Sequence, residues 1–189
     1  MQVLVFGKQG FFLLFLFVWK GNNHTFGEEC PKPCSCSEGL ETVNCSWLQL
    51  TSIPGPLPVN TTYLRLSFNQ LTDLPDGIFD QIAQLTELHL EYNKLKKLPE
   101  GVFDNNTQLA TLRLSGNQLT DLPDAIFDKN VQLRELWLSN NQLTDLPDGI
   151  FDKNAELRKL SLSKNQMTDI LDGILNDGIL NKNTQLTDL

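Results

Sequence analysis

The chain has 189 residues, with 15 Lys and Arg against 23 Asp and Glu, a formal net charge of −8. That length suits one domain. The acidic balance argues against a nucleic-acid partner, which normally needs a basic face.

In chain order, the first element is a leader. Lys8 supplies a positive charge, and Phe11–Trp19 is continuously apolar. Such a run is too short to span a bilayer, which takes about 20 residues, and fits the apolar stretch of a secretory signal. Residues 1–27 are therefore expected to be signal peptide and leader, cleaved between Lys20 and Glu29. No other apolar run could cross a membrane. The chain is expected to be secreted, or to lie on the extracellular face of the plasma membrane, anchored only through a segment it does not contain.

Residues 28–58 form a cysteine-rich unit that ends in a proline-rich turn from Ile53 to Pro58. Cys30, Cys34, Cys36 and Cys45 are an even number, clustered behind a signal, which predicts two disulfides. A zinc site is the rival, disfavoured by the C-x-C spacing and the oxidising route. Asn23, Asn60 and Asn105 head glycosylation sequons. Asn44 heads a fourth that overlaps a cysteine.

From residue 59 to residue 189 the chain repeats. Asn69, Asn93, Asn117, Asn141 and Asn165 recur every 24 residues, each preceded by leucines three and five positions earlier and followed by Leu71, Leu95, Leu119, Leu143 or Met167. Five in-phase copies of L-x-L-x-x-N-x-L are the signature of a leucine-rich repeat array. In the copy Leu109–Gln132, leucines alternate with polar residues around Leu112 and Leu114, the period of a short strand with one buried face. Stacked copies predict an α/β-type solenoid, or horseshoe, with short parallel strands on the concave face and loops or 3-10 turns on the convex face. The cysteine unit would serve as its disulfide N-terminal cap. Asn117 and its equivalents are expected to form a ladder satisfying backbone groups. Pro123 starts a turn, and Phe79, Phe103, Phe127 and Phe151 are expected to stack as a convex-side spine. The fifth copy is irregular: Leu171 replaces proline, and a unit is duplicated over Asp172–Asn176 and Asp177–Asn181. A partial sixth copy follows, so the chain is expected to be a fragment of a longer product or an unassembled gene product, with the duplication bulging as a loop on the convex side.

Nothing resembles a catalytic site; no cofactor or metal is expected, and an enzyme is excluded as a reading. Asp73, Asp121, Asp145 and Asp169 make one column, and Asp76, Asp124, Asp148 and Asp172 a second. Stacked carboxylates suit calcium, but Lys97 interrupts the first column, and a solvated charged edge is the better reading. The outward strand positions are more informative. Tyr63, Arg65, Phe68, Glu87, His89, Glu91, Tyr92, Thr111, Arg113, Glu135, Trp137, Asn140, Lys159 and Lys164 differ from copy to copy while the framework repeats. A constant scaffold with a changing face is what binding requires. Its aromatic residues are interface anchors and its charges can pair with a partner.

The cap CPKPCSCS…VNCSWLQLTSIPGPLP, followed by L-x-L-S-x-N-Q-L-T-D-L-P-D-G-I-F-D, resembles the variable lymphocyte receptors of jawless vertebrates, from about Cys30 to about Ile170. The resemblance implies an antigen-binding receptor of adaptive immunity that grips a protein or carbohydrate antigen through the concave positions named above. It also implies the disulfide pairing Cys30–Cys36 and Cys34–Cys45. The family's C-terminal cysteine cap, stalk and lipid-anchor signal are absent from the chain. Rival readings are a Toll-like or platelet-glycoprotein-like ectodomain with one fixed ligand, or a matrix leucine-rich repeat protein.

Overall fold

The computed structural model describes residues 29–167. One seven-stranded sheet runs in chain order: β1 (Ser35–Cys36), β2 (Thr42–Asn44), β3 (Tyr63–Arg65), β4 (Glu87–His89), β5 (Thr111–Arg113), β6 (Glu135–Trp137) and β7 (Lys159–Ser161). β1 and β2 are antiparallel, and every later pair is parallel. The register places Leu64 beside Leu88, Leu88 beside Leu112, and Leu136 beside Leu160. The 24-residue period is thus one turn of a solenoid, and equal positions in successive copies become neighbours.

The core follows from the leucine alternation. Leu64, Leu66, Leu88, Leu90, Leu112, Leu114, Leu136 and Leu138 are fully buried. Burial of such a side chain stabilises by roughly 1.5–3 kcal/mol. The strands stay short because the residue just before each ladder asparagine turns left-handed: φ is 57° at Phe68, 54° at Tyr92, 71° at Gly116, 57° at Asn140 and 58° at Lys164.

Each asparagine then serves two turns at once. The Asn117 amide donates to the carbonyls of Leu90 and Leu114, and its Oδ1 accepts from the Leu95 N–H. Asn69 does the same toward the cap, donating to Cys45 and Leu66 and accepting from Leu48 and Leu50.

A second ladder was not foreseen. Asn106, Asn130 and Asn154 are fully buried on the convex side. The Asn130 amide donates to the carbonyls of Phe103 and Asn106, and that of Asn154 to Phe127 and Asn130. Its signal was present in the sequence, since D-N-N, D-K-N and D-K-N recur at the same period.

The convex side is built from consecutive tight turns, such as Asp128 N–H to Ala125 O and Asn130 N–H to Phe127 O, with no helix among the described residues. Behind these turns Phe79, Phe103, Phe127 and Phe151 stack with centroids 6.1, 6.5 and 6.0 Å apart.

The cap joins Cys30 to Cys36 and Cys34 to Cys45. It pairs β2 with β3 and buries Val43 and Cys45 against the first repeat. The leader, Asn23, Asp169, Asp172, the duplicated unit and the partial sixth copy lie outside the described residues.

Candidate ligand-binding face

Parallel stacking sorts the outward side chains into four columns. The first carries Tyr63, Glu87, Thr111, Glu135 and Lys159, and the second Arg65, His89, Arg113, Trp137 and Ser161. Beyond the strands, the third carries Ser67, Glu91, Ser115, Ser139 and Ser163. The left-handed residues Phe68, Tyr92, Gly116, Asn140 and Lys164 form the fourth.

Near the first repeats the columns form one polar network. Arg65 Nη2 donates to Tyr63 Oη at 3.0 Å and its guanidinium lies 4.7 Å from the Tyr63 ring centre. Tyr63 Oη is 3.3 Å from His89 Nε2. His89 departs from the expectation of an exposed contact residue, being only 9% exposed. Its ring sits among the longer side chains of Tyr63, Glu87, Glu91, Arg65 and Arg113, which close over it. Burial, then Arg113 and Arg65, lower its pKa to about 4. At neutral pH the ring is therefore uncharged, and its 3.7 Å approaches to Glu87 and Glu91 are not ion pairs. Glu91 Oε2 and Arg113 Nε are buried without a protein hydrogen-bond partner.

Further along, Arg113 lies over the Trp137 ring at 5.4 Å. The indole N–H donates to Glu135 Oε2 at 3.3 Å, and Lys159 Nζ donates to Glu135 Oε1 at 2.9 Å. The Lys159 hydrogen bond is the main reason the Glu135 carboxyl is held below its usual range, with Trp137 and Arg113 adding to it and burial opposing. Trp137 is half-buried in this cluster, while Asn140, Lys159 and Lys164 are exposed.

The fourth column begins in the cap. Trp47 stacks on Phe68 with centroids 3.8 Å apart, and Phe68 stacks on Tyr92 at 4.5 Å. Trp47 was not singled out from sequence. The cap turn is shorter, pairing Thr42 with Tyr63 at an offset of 21 rather than 24, so a search at the repeat period misses it.

The remaining candidates lie elsewhere. Asp73, Asp76, Asp121, Asp124, Asp145 and Asp148 are exposed along one edge, and no group of three or more His, Cys, Asp or Glu among the described residues could hold a metal ion. Asn60 and Asn105 are exposed, with Asn105 in the convex turns. A depression of about 600 Å³ beside Thr86, Ala110, Val131 and Arg134 lies on the flank where the chain comes into the strands, away from the four columns.

The repeat geometry agrees with sequence comparison. The leucine rich repeat family model matches residues 59–119 and 107–167. The chain belongs to the leucine-rich repeat family. Among relatives, "Immunoglobulin superfamily containing leucine-rich repeat protein" of Bos taurus is 40% identical over 60 residues, 31% of this chain and 14% of its own length. Human "Leucine-rich repeat-containing protein 3" is 40% identical over 63 residues, 32% of this chain and 24% of its own length. Human "Leucine-rich repeat-containing G-protein coupled receptor 6" is 43% identical over 60 residues, 31% of this chain and 6% of its own length. The chain therefore spans less than a quarter of each of these three leucine-rich repeat relatives.

Proposed function

We propose that this chain is the recognition module of a secreted or cell-surface receptor, and that it binds a protein or carbohydrate antigen on the concave sheet face. The observation that carries this reading is the contrast between framework and face. Leucines, asparagines and phenylalanines repeat in register and are buried, whereas the two strand columns and the left-handed column change residue from turn to turn, the third column staying serine except at Glu91. Side chains of differing chemistry on one face of a constant framework are the property of a scaffold used for recognition. The paired disulfides support an extracellular setting, as does the apolar stretch Phe11–Trp19. The resemblance to variable lymphocyte receptors supports an antigen receptor.

Sibling transcripts from one individual test the reading. If Arg113 and Trp137 differ between transcripts while Asn117 and Phe127 stay the same, the face is an antigen-reading surface. Identical face residues in every transcript would point to one fixed ligand. That second reading is favoured by the similarity to a leucine-rich repeat G-protein coupled receptor.

A further inference from the structure

The outward face is segregated along the solenoid axis. Its cap end is aromatic: Trp47 is 70% exposed, Tyr92 is 51% exposed, and Phe68 is held face to face between them. Leu48, beside Trp47, is also exposed. The stack ends on glycine, because a Cβ at Gly116 would sit 2.7 Å from Tyr92 Cδ1. Tyr92 is thus pinned between Phe68 and the Gly116 backbone. At the other end of the same column stand exposed Asn140 and Lys164. Lys164 makes no ion pair among the described residues, whereas Lys159 is committed to Glu135.

Three features of this column point to a binding ledge. It holds two of the exposed large apolar side chains, Trp47 and Tyr92, on either side of half-buried Phe68, with Leu48 next to Trp47 in sequence, and such clusters mark interaction sites. Its rings are immobilised before any ligand arrives, so little side-chain freedom is lost on binding. The left-handed backbone recurs at this position in every turn, and Gly116 shows that glycine serves there, yet Trp47, Phe68 and Tyr92 place bulky rings on it, a choice that carries a steric cost.

We infer that the column from Trp47 to Lys164 is a two-point docking ledge for a protein partner, which sets an apolar side chain against the rings at the cap end and an acidic group on Lys164. This rests on the recognition reading above. Adjacent strands are about 4.8 Å apart, so the three steps from Tyr92 to Lys164 separate the two points by ~14 Å. A sugar ring is the poorer occupant. Phe68 has a ring on each side, and Tyr92 lies between Phe68 and Gly116. The ledge therefore offers ring edges and one open indole face, not a bed of open faces.

The test pans a random peptide library on the full chain with its disulfides formed, and runs a glycan array in parallel. Selected peptides should pair an aromatic or aliphatic residue with Asp or Glu. Trp47→Ala and Lys164→Glu should each weaken them about 30-fold, the scale of an interface anchor, while Trp47→Phe recovers most of the loss. Trp47 is largely exposed, so its removal should lower the melting temperature only slightly, through the lost stack on Phe68. Peptides that tolerate Trp47→Ala but fail on Trp137→Ala would overturn the ledge and leave the recognition face standing. Glycans whose binding depends on Trp47 would overturn the protein partner. Ligands insensitive to Trp47, Trp137 and Lys164, or none from either probe, would overturn both readings.

Discussion

Ala125 stands where Gly77, Gly101 and Gly149 stand in the other turns, with φ at 54° against 64°, 63° and 66°. A left-handed residue bearing a Cβ costs about 1–2 kcal/mol, and glycine's extra freedom in the unfolded chain returns roughly half of that. Ala125→Gly should therefore raise stability by about 0.5–1 kcal/mol, read from the midpoint of denaturant unfolding; an unchanged or lower midpoint would show that the turn carries no strain. His89 makes a different prediction. The unfolded chain takes up the histidine proton near pH 6.5, the folded chain only near 4. Between those values the unfolded state binds more protons, so the His89 contribution is complete above pH 6.5 and is lost as pH falls toward 4. The groups facing the ring are Tyr63, Glu87, Glu91, Arg65 and Arg113. Across that window the wild-type melting temperature should fall more steeply than that of His89→Gln, and parallel curves would rule the effect out.

At the scale of the element, the two asparagine ladders look equivalent in sequence but do different amounts of work. Removing the Asn117 side chain strips the Leu95 N–H of its acceptor, while the Leu90 and Leu114 carbonyls keep a second donor in Asn93 and Asn141. Removing Asn130 leaves no backbone group bare. The Phe103 carbonyl still accepts from the Asn106 N–H, the Asn106 carbonyl still accepts from the Leu109 N–H, and the Asn130 Oδ1 had no protein partner to lose. An orphaned buried donor costs about 1–3 kcal/mol. Asn117→Ala should fall within that range and Asn130→Ala well below it, measured by chemical denaturation. Equal losses would mean that cavity formation outweighs hydrogen bonding at both sites. The phenylalanine spine was readable because a bulky ring at a fixed phase in four turns has only the interior to occupy. The Trp47 stack was not, because the cap breaks that phase.

For the whole molecule, stability passes from turn to turn, since each repeat touches only its neighbours. The cap covers the first turn through β2 and the buried Val43 and Cys45, and its two disulfides hold it in place. Loss of native disulfides from a small domain costs about 2–5 kcal/mol. Reduction should therefore expose the turns around Leu64 and Leu88 to amide hydrogen exchange first, with the turns around Leu136 and Leu160 changing later. Uniform exchange along the chain would contradict turn-by-turn stacking, and no change at all would contradict a shielding cap.

The repeat period, by itself, determined the solenoid, its parallel strands, its buried leucines and its asparagine ladder, because a strictly periodic chain makes every local choice the same and stacking then has one register. The four clustered cysteines, following the apolar stretch Phe11–Trp19, led to the expectation of a disulfide-bonded cap. Only the tertiary structure decided what the outward side chains do. His89 alternates outward like its neighbours, yet long side chains on adjacent strands bury it. Tyr92 is exposed but gripped between Phe68 and Gly116, and Trp47 joins them from the cap. Those outcomes depend on side-chain length and on contacts between turns, and neither is encoded in any single repeat.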